Sequence, residues 1–179
     1  TITPTGADDV TAQFSAQMPV LYASGIGTFD VSMSAGNDRL LVNGSSAADT
    51  LAVHGTQVAI TGKETVNYTG AAALSVFGLE ENDTFSVTPA AIPIFIDGGD
   101  PIGVVGDVLN VLATGSASFA SGPESDEGGF AFAAALPVSY DHIEGLAIDL
   151  DGNDLAVQGT NGDDDIKLVG SQDDTVTDA

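Results

Sequence analysis

Between Gly36 and Gly55 the chain reads GNDRLLVNGSSAADTLAVHG, two copies of one short unit. Each copy has a turn bearing Asp, one intervening residue, alternating apolar residues and a closing Gly. The first runs Gly36-Asn37-Asp38-Arg39-Leu40-Leu41-Val42-Asn43-Gly44, and the second runs Ala47-Ala48-Asp49-Thr50-Leu51-Ala52-Val53-His54-Gly55, with the aspartates 11 residues apart. A second pair stands at Gly152 to Gly159 and Gly162 to Gly170, and single copies sit at Glu81 to Val87 and Gly106 to Val111. Alternation puts every second side chain on one face of a strand. One short strand cannot bury such a face alone, so strand-turn units repeated along a chain predict stacked β structure.

Period-2 alternation recurs at Phe29/Val31/Met33, Leu40/Val42, Leu51/Val53, Val58/Ile60, Leu74/Val76, Phe85/Val87, Ile94/Ile96, Leu109/Val111 and Ile166/Leu168. Each run is closed by Gly, Asn, Asp or Pro. The expectation is an all-β domain spanning 1–179, built as an irregular β-solenoid or β-helix-like repeat, with a β-sandwich as the alternative. The three tyrosines, Tyr22, Tyr68 and Tyr140, each follow Val by two residues and precede an Asn-Asp turn, at Asp38, Asp83 and Asp154. This longer spacing predicts equivalent places for them in successive repeats. Ala113 to Leu136, rich in Ser, Gly, Ala and acids, reads as an insertion, part loop, and Phe130 to Leu136 is the only helical candidate. Ile2 to Thr11 is echoed by Ile166 to Thr175, which suggests one unit of a longer array.

The formal net charge is −23, from 26 acidic and 3 basic residues. Phosphate contacts need Lys and Arg, so nucleic acid is excluded as a partner, and an anionic membrane repels such a chain. Cations are attracted. Most of the acids are Asp, which favours turns by bonding nearby backbone amides. The absence of Cys excludes a disulfide scaffold and a thiolate metal site. No run of 18 apolar residues exists to span a membrane as a helix. Thr1 reads as a mature N-terminus or the edge of an excised segment.

The turn Gly36-Asn37-Asp38-Arg39-Leu40 resembles the G-x-D-x-U half of the hemolysin-type (RTX) calcium repeat, with weaker echoes at Gly98-Gly99-Asp100 and Gly162-Asp163-Asp164-Asp165-Ile166. The steps here are 11 and 10 residues, and most copies lack the leading Gly-Gly. The resemblance implies Ca²⁺, which takes six to eight oxygen ligands that stacked Asp turns can supply. The candidate ligands are Asp38, Asp49 and Asp83; the set Asp97, Asp100 and Asp107; and the dense run Asp151, Asp154, Asp163, Asp164 and Asp165. Each turn is equally open to a metal-free Asx-turn. His54 and His142 stand in different repeats and read as surface residues, not a zinc site. Asn43, Asn67 and Asn82 head glycosylation sequons.

More broadly, Leu74 to Val87 and Ile96-Asp97-Gly98-Gly99-Asp100-Pro101 to Val111 resemble the Asn-Asp-rich repeats of giant exported bacterial surface proteins. That resemblance implies an extracellular or cell-surface location, tandem copies and a structural or adhesive role without catalytic residues. Two functions are therefore expected. One is a calcium-stabilised structural unit of a surface fibre, surface layer or matrix, joined head to tail to identical or similar units. The other is a calcium-dependent adhesin module that grips a surface glycan or protein, with specificity in the insertion. An enzyme is not expected: the chain has no Trp, few cations and no Ser/His/Asp set at known spacing.

Overall fold

A computed structural model describes residues 1–4, 9–13, 21–34, 36–101 and 106–159. Seventeen strands form among them, and no helix. The first eight are β1 (Ile2–Pro4), β2 (Asp9–Ala12), β3 (Leu21–Ser24), β4 (Thr28–Ser32), β5 (Arg39–Asn43), β6 (Thr50–His54), β7 (Gln57–Ile60) and β8 (Thr65–Thr69). The next four are β9 (Ala73–Glu80), β10 (Thr84–Val87), β11 (Ile94–Asp100) and β12 (Val108–Leu112). The last five are β13 (Ala117–Ser121), β14 (Gly128–Phe132), β15 (Val138–Asp141), β16 (Gly145–Asp149) and β17 (Leu155–Gln158). The all-β expectation holds.

Two open mixed sheets result, and neither closes into a barrel. The larger has ten strands in the order β17-β13-β14-β15-β11-β9-β5-β1-β2-β3, and the smaller has seven in the order β16-β12-β10-β6-β7-β8-β4. The chain crosses repeatedly between them: β5 to β6, β9 to β10, β11 to β12 and β15 to β16. Parallel neighbours need a crossover, and here the crossover is a strand of the other sheet. In the larger sheet β5, β9, β11 and β15 pair in parallel, aligning Leu40, Leu74, Ile94 and Val138, then Val42, Val76, Ile96 and Tyr140. In the smaller sheet β6, β10, β12 and β16 do the same, aligning Leu51, Phe85, Leu109 and Leu146, then Val53, Val87, Val111 and Ile148. Except for Leu146, which is exposed, the inward rows of both sheets belong to or pack against one core cluster. Each fully buried Leu, Val or Phe stabilises it by about 1.5–3 kcal/mol.

Hairpins interrupt this alternation. Strands β7 and β8 extend the smaller sheet beside β6, and β13 and β14 enter the larger sheet between β15 and β17. The insertion Ala113 to Leu136 is therefore a hairpin of the larger sheet joined by loops. Its helical candidate is strand through Phe132, because alternation in Phe130-Ala131-Phe132 lets Phe130 bury opposite Phe119 and Val138. The tyrosines do not occupy equivalent places. Tyr22 lies on the edge strand β3 and Tyr140 on β15 of the larger sheet, whereas Tyr68 lies on β8 of the smaller. Likewise Asp38 and Asp154 precede strands of the larger sheet and Asp83 precedes a strand of the smaller. The structural step is one strand per unit with alternate units in opposite sheets, so the longer spacing links positions that are not related.

Strand β12 offers a direct check of the inward row. Leu109 is fully buried, while Leu112, on the opposite face, is 47% exposed. Leu109→Ala is expected to cost about 2–5 kcal/mol in urea denaturation, and Leu112→Ala no more than about 1 kcal/mol. Equal costs would contradict the facing assigned here.

Candidate functional site

Four crossings from the larger to the smaller sheet place an acid immediately before the new strand: Asp49 before β6, Asp83 before β10, Asp107 before β12 and Glu144 before β16. In-register pairing of these strands stacks the acids into one column. The Asp49 amide donates to Asp83 Oδ1 at 2.7 Å, the Asp83 amide to Asp107 Oδ1 at 2.6 Å, and the Asp107 amide to Glu144 Oε2 at 2.6 Å. The backbone answers in the other direction. The Thr84 amide donates to the Asp49 carbonyl at 2.9 Å, the Val108 amide to Asp83 at 2.9 Å, and the Gly145 amide to Asp107 at 2.9 Å. Each pair of neighbouring turns is thus clasped twice.

Glycines make room for this column. Gly44 directly follows β5, Gly78 lies near the end of β9 and Gly98 near the end of β11, and a Cβ on each would meet Oδ2 of Asp49, Asp83 and Asp107 in turn. At Gly78 that contact would be 2.1 Å, with the Gly98 carbonyl at 2.4 Å. His142 takes the fourth place with φ of 52°, in the left-handed region. The column is capped at Asp49, whose Oδ2 accepts the Ser45 amide at 2.7 Å and Oγ at 2.9 Å, while Lys63 Nζ lies 3.5 Å from Oδ1.

Asp83 and Asp107 are almost wholly buried, and Oδ2 of each has no hydrogen-bond partner among the described residues. Burial is the main force that pushes the Asp83 carboxyl up to about 7; the charges of Asp107 and Asp49 add to it, and the Asp49 amide opposes it. Asp107 is also raised, first by burial and then by Glu144 and Asp97, against the Asp83 amide and His142. A further buried acid, Glu64, sits between β7 and β8 with neither oxygen hydrogen-bonded among the described residues.

The other candidate acids lie elsewhere. Asp97 faces outward on β11, 2.9 Å from His142 Nδ1, and that hydrogen bond raises the imidazole pKa. With Phe77, Leu79, Gly99, Asp100 and His142 it lines an open depression of about 340 Å³. Asp97 and Asp100 are thereby separated from Asp107, which points inward beside Gly98. Asp38, Asp151 and Asp154 are exposed turn residues; the Asp151 amide donates to Asp149 Oδ1 at 2.9 Å. Asp163, Asp164 and Asp165 lie outside the described residues. Among the described residues no group of three or more His, Cys, Asp or Glu is arranged to hold a metal. Glu144, Lys63 and Gly78 were not read as site residues from the sequence, while Gly44 and Gly98 were read only as turn glycines. Glu144 sits in Asp141-His142-Ile143-Glu144, which has no Asn-Asp signature, although a glycine closing each strand before an acid was a usable signal. Comparison with protein-family models, curated proteins and solved structures finds no match.

Two outcomes are expected. A Gly78→Ala side chain must displace the buried Asp83 carboxylate or the Gly98 backbone, so it should destabilise by about 1–3 kcal/mol. Gly27→Ala, with nothing within 4 Å of the added carbon, should be near neutral in the same denaturation assay. Second, folded Asp83 holds its proton more tightly than the unfolded chain, whose reference value is 3.8. Its contribution to stability is fully present below about 4 and is lost as pH rises through about 7. Thermal melts at fixed ionic strength should fall from pH 5 to pH 8, and Asp83→Asn should flatten that slope.

Proposed function

We propose that the chain is a non-catalytic, extracellular structural unit, an irregular two-sheet β-solenoid segment that joins head to tail with identical or similar units in a surface fibre, layer or matrix. The observation that carries this reading is the in-register stack of parallel strands, which among the described residues has an unpaired edge at both ends. Strands β3 and β4 bound one end, and β17 and β16 the other. Following the pairings through each sheet, β3 runs in the same direction as β17, and β4 in the same direction as β16. A second unit placed end to end therefore meets the first with strands parallel, and the contact is heterologous and open, so it builds filaments. Unpaired edges also need covering in a soluble β protein. The insertion expected to carry adhesin specificity lies within the larger sheet as β13 and β14, which favours the structural role over the binding one.

Calcium is proposed as the stabilising ion, held by the half-buried Asp97, the exposed carboxylates Asp100, Asp151 and Asp154, and the run at Asp163 to Asp165. Support comes from the net charge of −23, which a divalent cation offsets locally. A ligand bound only by the folded state raises its melting temperature by mass action. EDTA should lower the melt, CaCl₂ up to about 10 mM should restore it, and NaCl at equal ionic strength should not. Electron microscopy of the purified chain should show linear assemblies with Ca²⁺. A monomer whose melt ignores Ca²⁺ sinks the proposal.

A further inference from the structure

Among the described residues, Lys63 is the one Lys or Arg that pairs with an acid. Its Nζ lies 3.5 Å from Asp49 Oδ1, and the two side chains are 18% and 5% exposed. The Asp49 carboxyl is fixed from the other side. Its Oδ2 accepts the Ser45 amide at 2.7 Å and Ser45 Oγ at 2.9 Å. The Asp49 backbone is held by its own amide, which donates to Asp83 Oδ1. One oxygen of this carboxyl therefore sits between two donors, and the other faces an amine.

Glu64 follows Lys63 in the chain. It is 2% exposed, and neither of its oxygens has a hydrogen-bond partner among the described residues. It stands immediately before β8 as Asp49 stands immediately before β6, and β8 runs in the same direction as β6, with β7 between them. Alternation with buried Leu51 and Val66 gives both acids the inward position at one end of the smaller sheet. The Lys63 side chain thus runs from a backbone next to Glu64 to the carboxyl of Asp49. A buried carboxyl without a donor is costly, and its presence beside an amine and a second, polarised carboxyl calls for a chemical explanation.

We propose that Lys63 and Asp49 condense into an intramolecular isopeptide bond, with Glu64 as the proton relay. Nζ passes one proton to Asp49 Oδ1, which leaves a neutral amine beside a neutral acid. Nζ then attacks Asp49 Cγ. Negative charge develops on Oδ2, where the Ser45 amide and hydroxyl already point, as donors to an oxyanion. Glu64 takes a proton from the attacking nitrogen and returns it to Oδ1, which departs as water. The Nζ–Cγ bond forms, the Cγ–Oδ1 bond breaks, and Glu64 ends as it began. Nothing is oxidised or reduced, and no co-reactant is needed. Bulk water opposes such a condensation, but here the reacting groups are held together and nearly dry. The bond would close the β6–β7 hairpin at the capped end of the column, a covalent staple in a chain without Cys. It does not depend on whether units join head to tail.

Mass spectrometry of the intact full-length chain reads the bond directly. After incubation of the folded protein at neutral pH, the chain should be lighter than its sequence by one water. Tandem spectra of a digest should show a branched peptide joining Asp49 to Lys63. Ring closure at Asp151-Gly152 would also remove one water, so Lys63→Arg is the control. It keeps the charge beside Asp49, lacks the primary amine and should stay at its full sequence mass. Folded Glu64→Gln should stay at full mass too, or link many-fold more slowly. A native chain at its full sequence mass overturns the proposal, since Lys63 and Asp49 are then an ion pair only. A Lys63→Arg chain that has lost the same water overturns it as well. A Glu64→Gln chain that links as fast as the native one removes Glu64 from the reaction.

Discussion

The hydrogen bond from a turn amide to the carboxylate of the next turn fixes the rest of this structure. A chain that crosses between two sheets in as few as three residues leaves the amide at the end of the turn with no strand partner. A buried unpaired amide costs about as much as a lost hydrogen bond. At Asp49, Asp83 and Asp107 the neighbouring acid accepts it, while the neighbour's strand takes up the carbonyl. That reciprocal clasp sets the register of β6, β10, β12 and β16. Register in turn decides which face of each strand meets the core, because a slip of one residue would turn every apolar side chain outward.

The same clasp creates an electrostatic cost. Carboxylates stacked in a buried column repel and lose hydration, which is why Asp83 and Asp107 hold their protons more tightly than free aspartate. Amide donors offset part of that cost, since hydrogen bonds to charged acceptors are stronger than neutral ones. Lys63, one of only 3 Lys and Arg residues in the chain, stands at the capped end beside Asp49. Apart from the buried Glu64 and Asp126, the other acids among the described residues lie on outer faces and turns, where water screens them. The chain's high charge and its apolar core therefore coexist because strand alternation separates them by face.

The strands themselves were legible, because Leu40/Val42, Leu51/Val53, Phe85/Val87 and Leu109/Val111 alternate and alternation reports a half-buried face directly. The turn aspartates were legible too, and three of those singled out as ligands stack in the column. Which sheet each strand joins was not written locally, since Leu40 and Leu51 carry the same pattern and belong to opposite sheets. Tyr22, Tyr68 and Tyr140 misled for that reason: a shared neighbourhood of Val and Tyr records β propensity and not position. Glu144 was invisible to a search for Asn-Asp turns, because the column asks only for a carboxylate oxygen at the right height. Glu64 was unreadable from Gly62-Lys63-Glu64, which looks like a solvated hairpin turn, yet it is almost wholly buried.

The column also explains how this fold absorbs insertions. Successive acids are 34, 24 and 37 residues apart. The shortest step, from Asp83 to Asp107, contains one strand pair and no hairpin. The two longer steps contain β7 with β8 and β13 with β14. Each hairpin adds two antiparallel strands beside the parallel stack, so the chain returns to the same sheet direction after the detour. Extra length therefore changes neither the strand polarity at the next crossing nor the height of the next acid. Both hairpins lie outside the parallel stacks β5-β9-β11-β15 and β6-β10-β12-β16, and the clasped turns remain a continuous line across them.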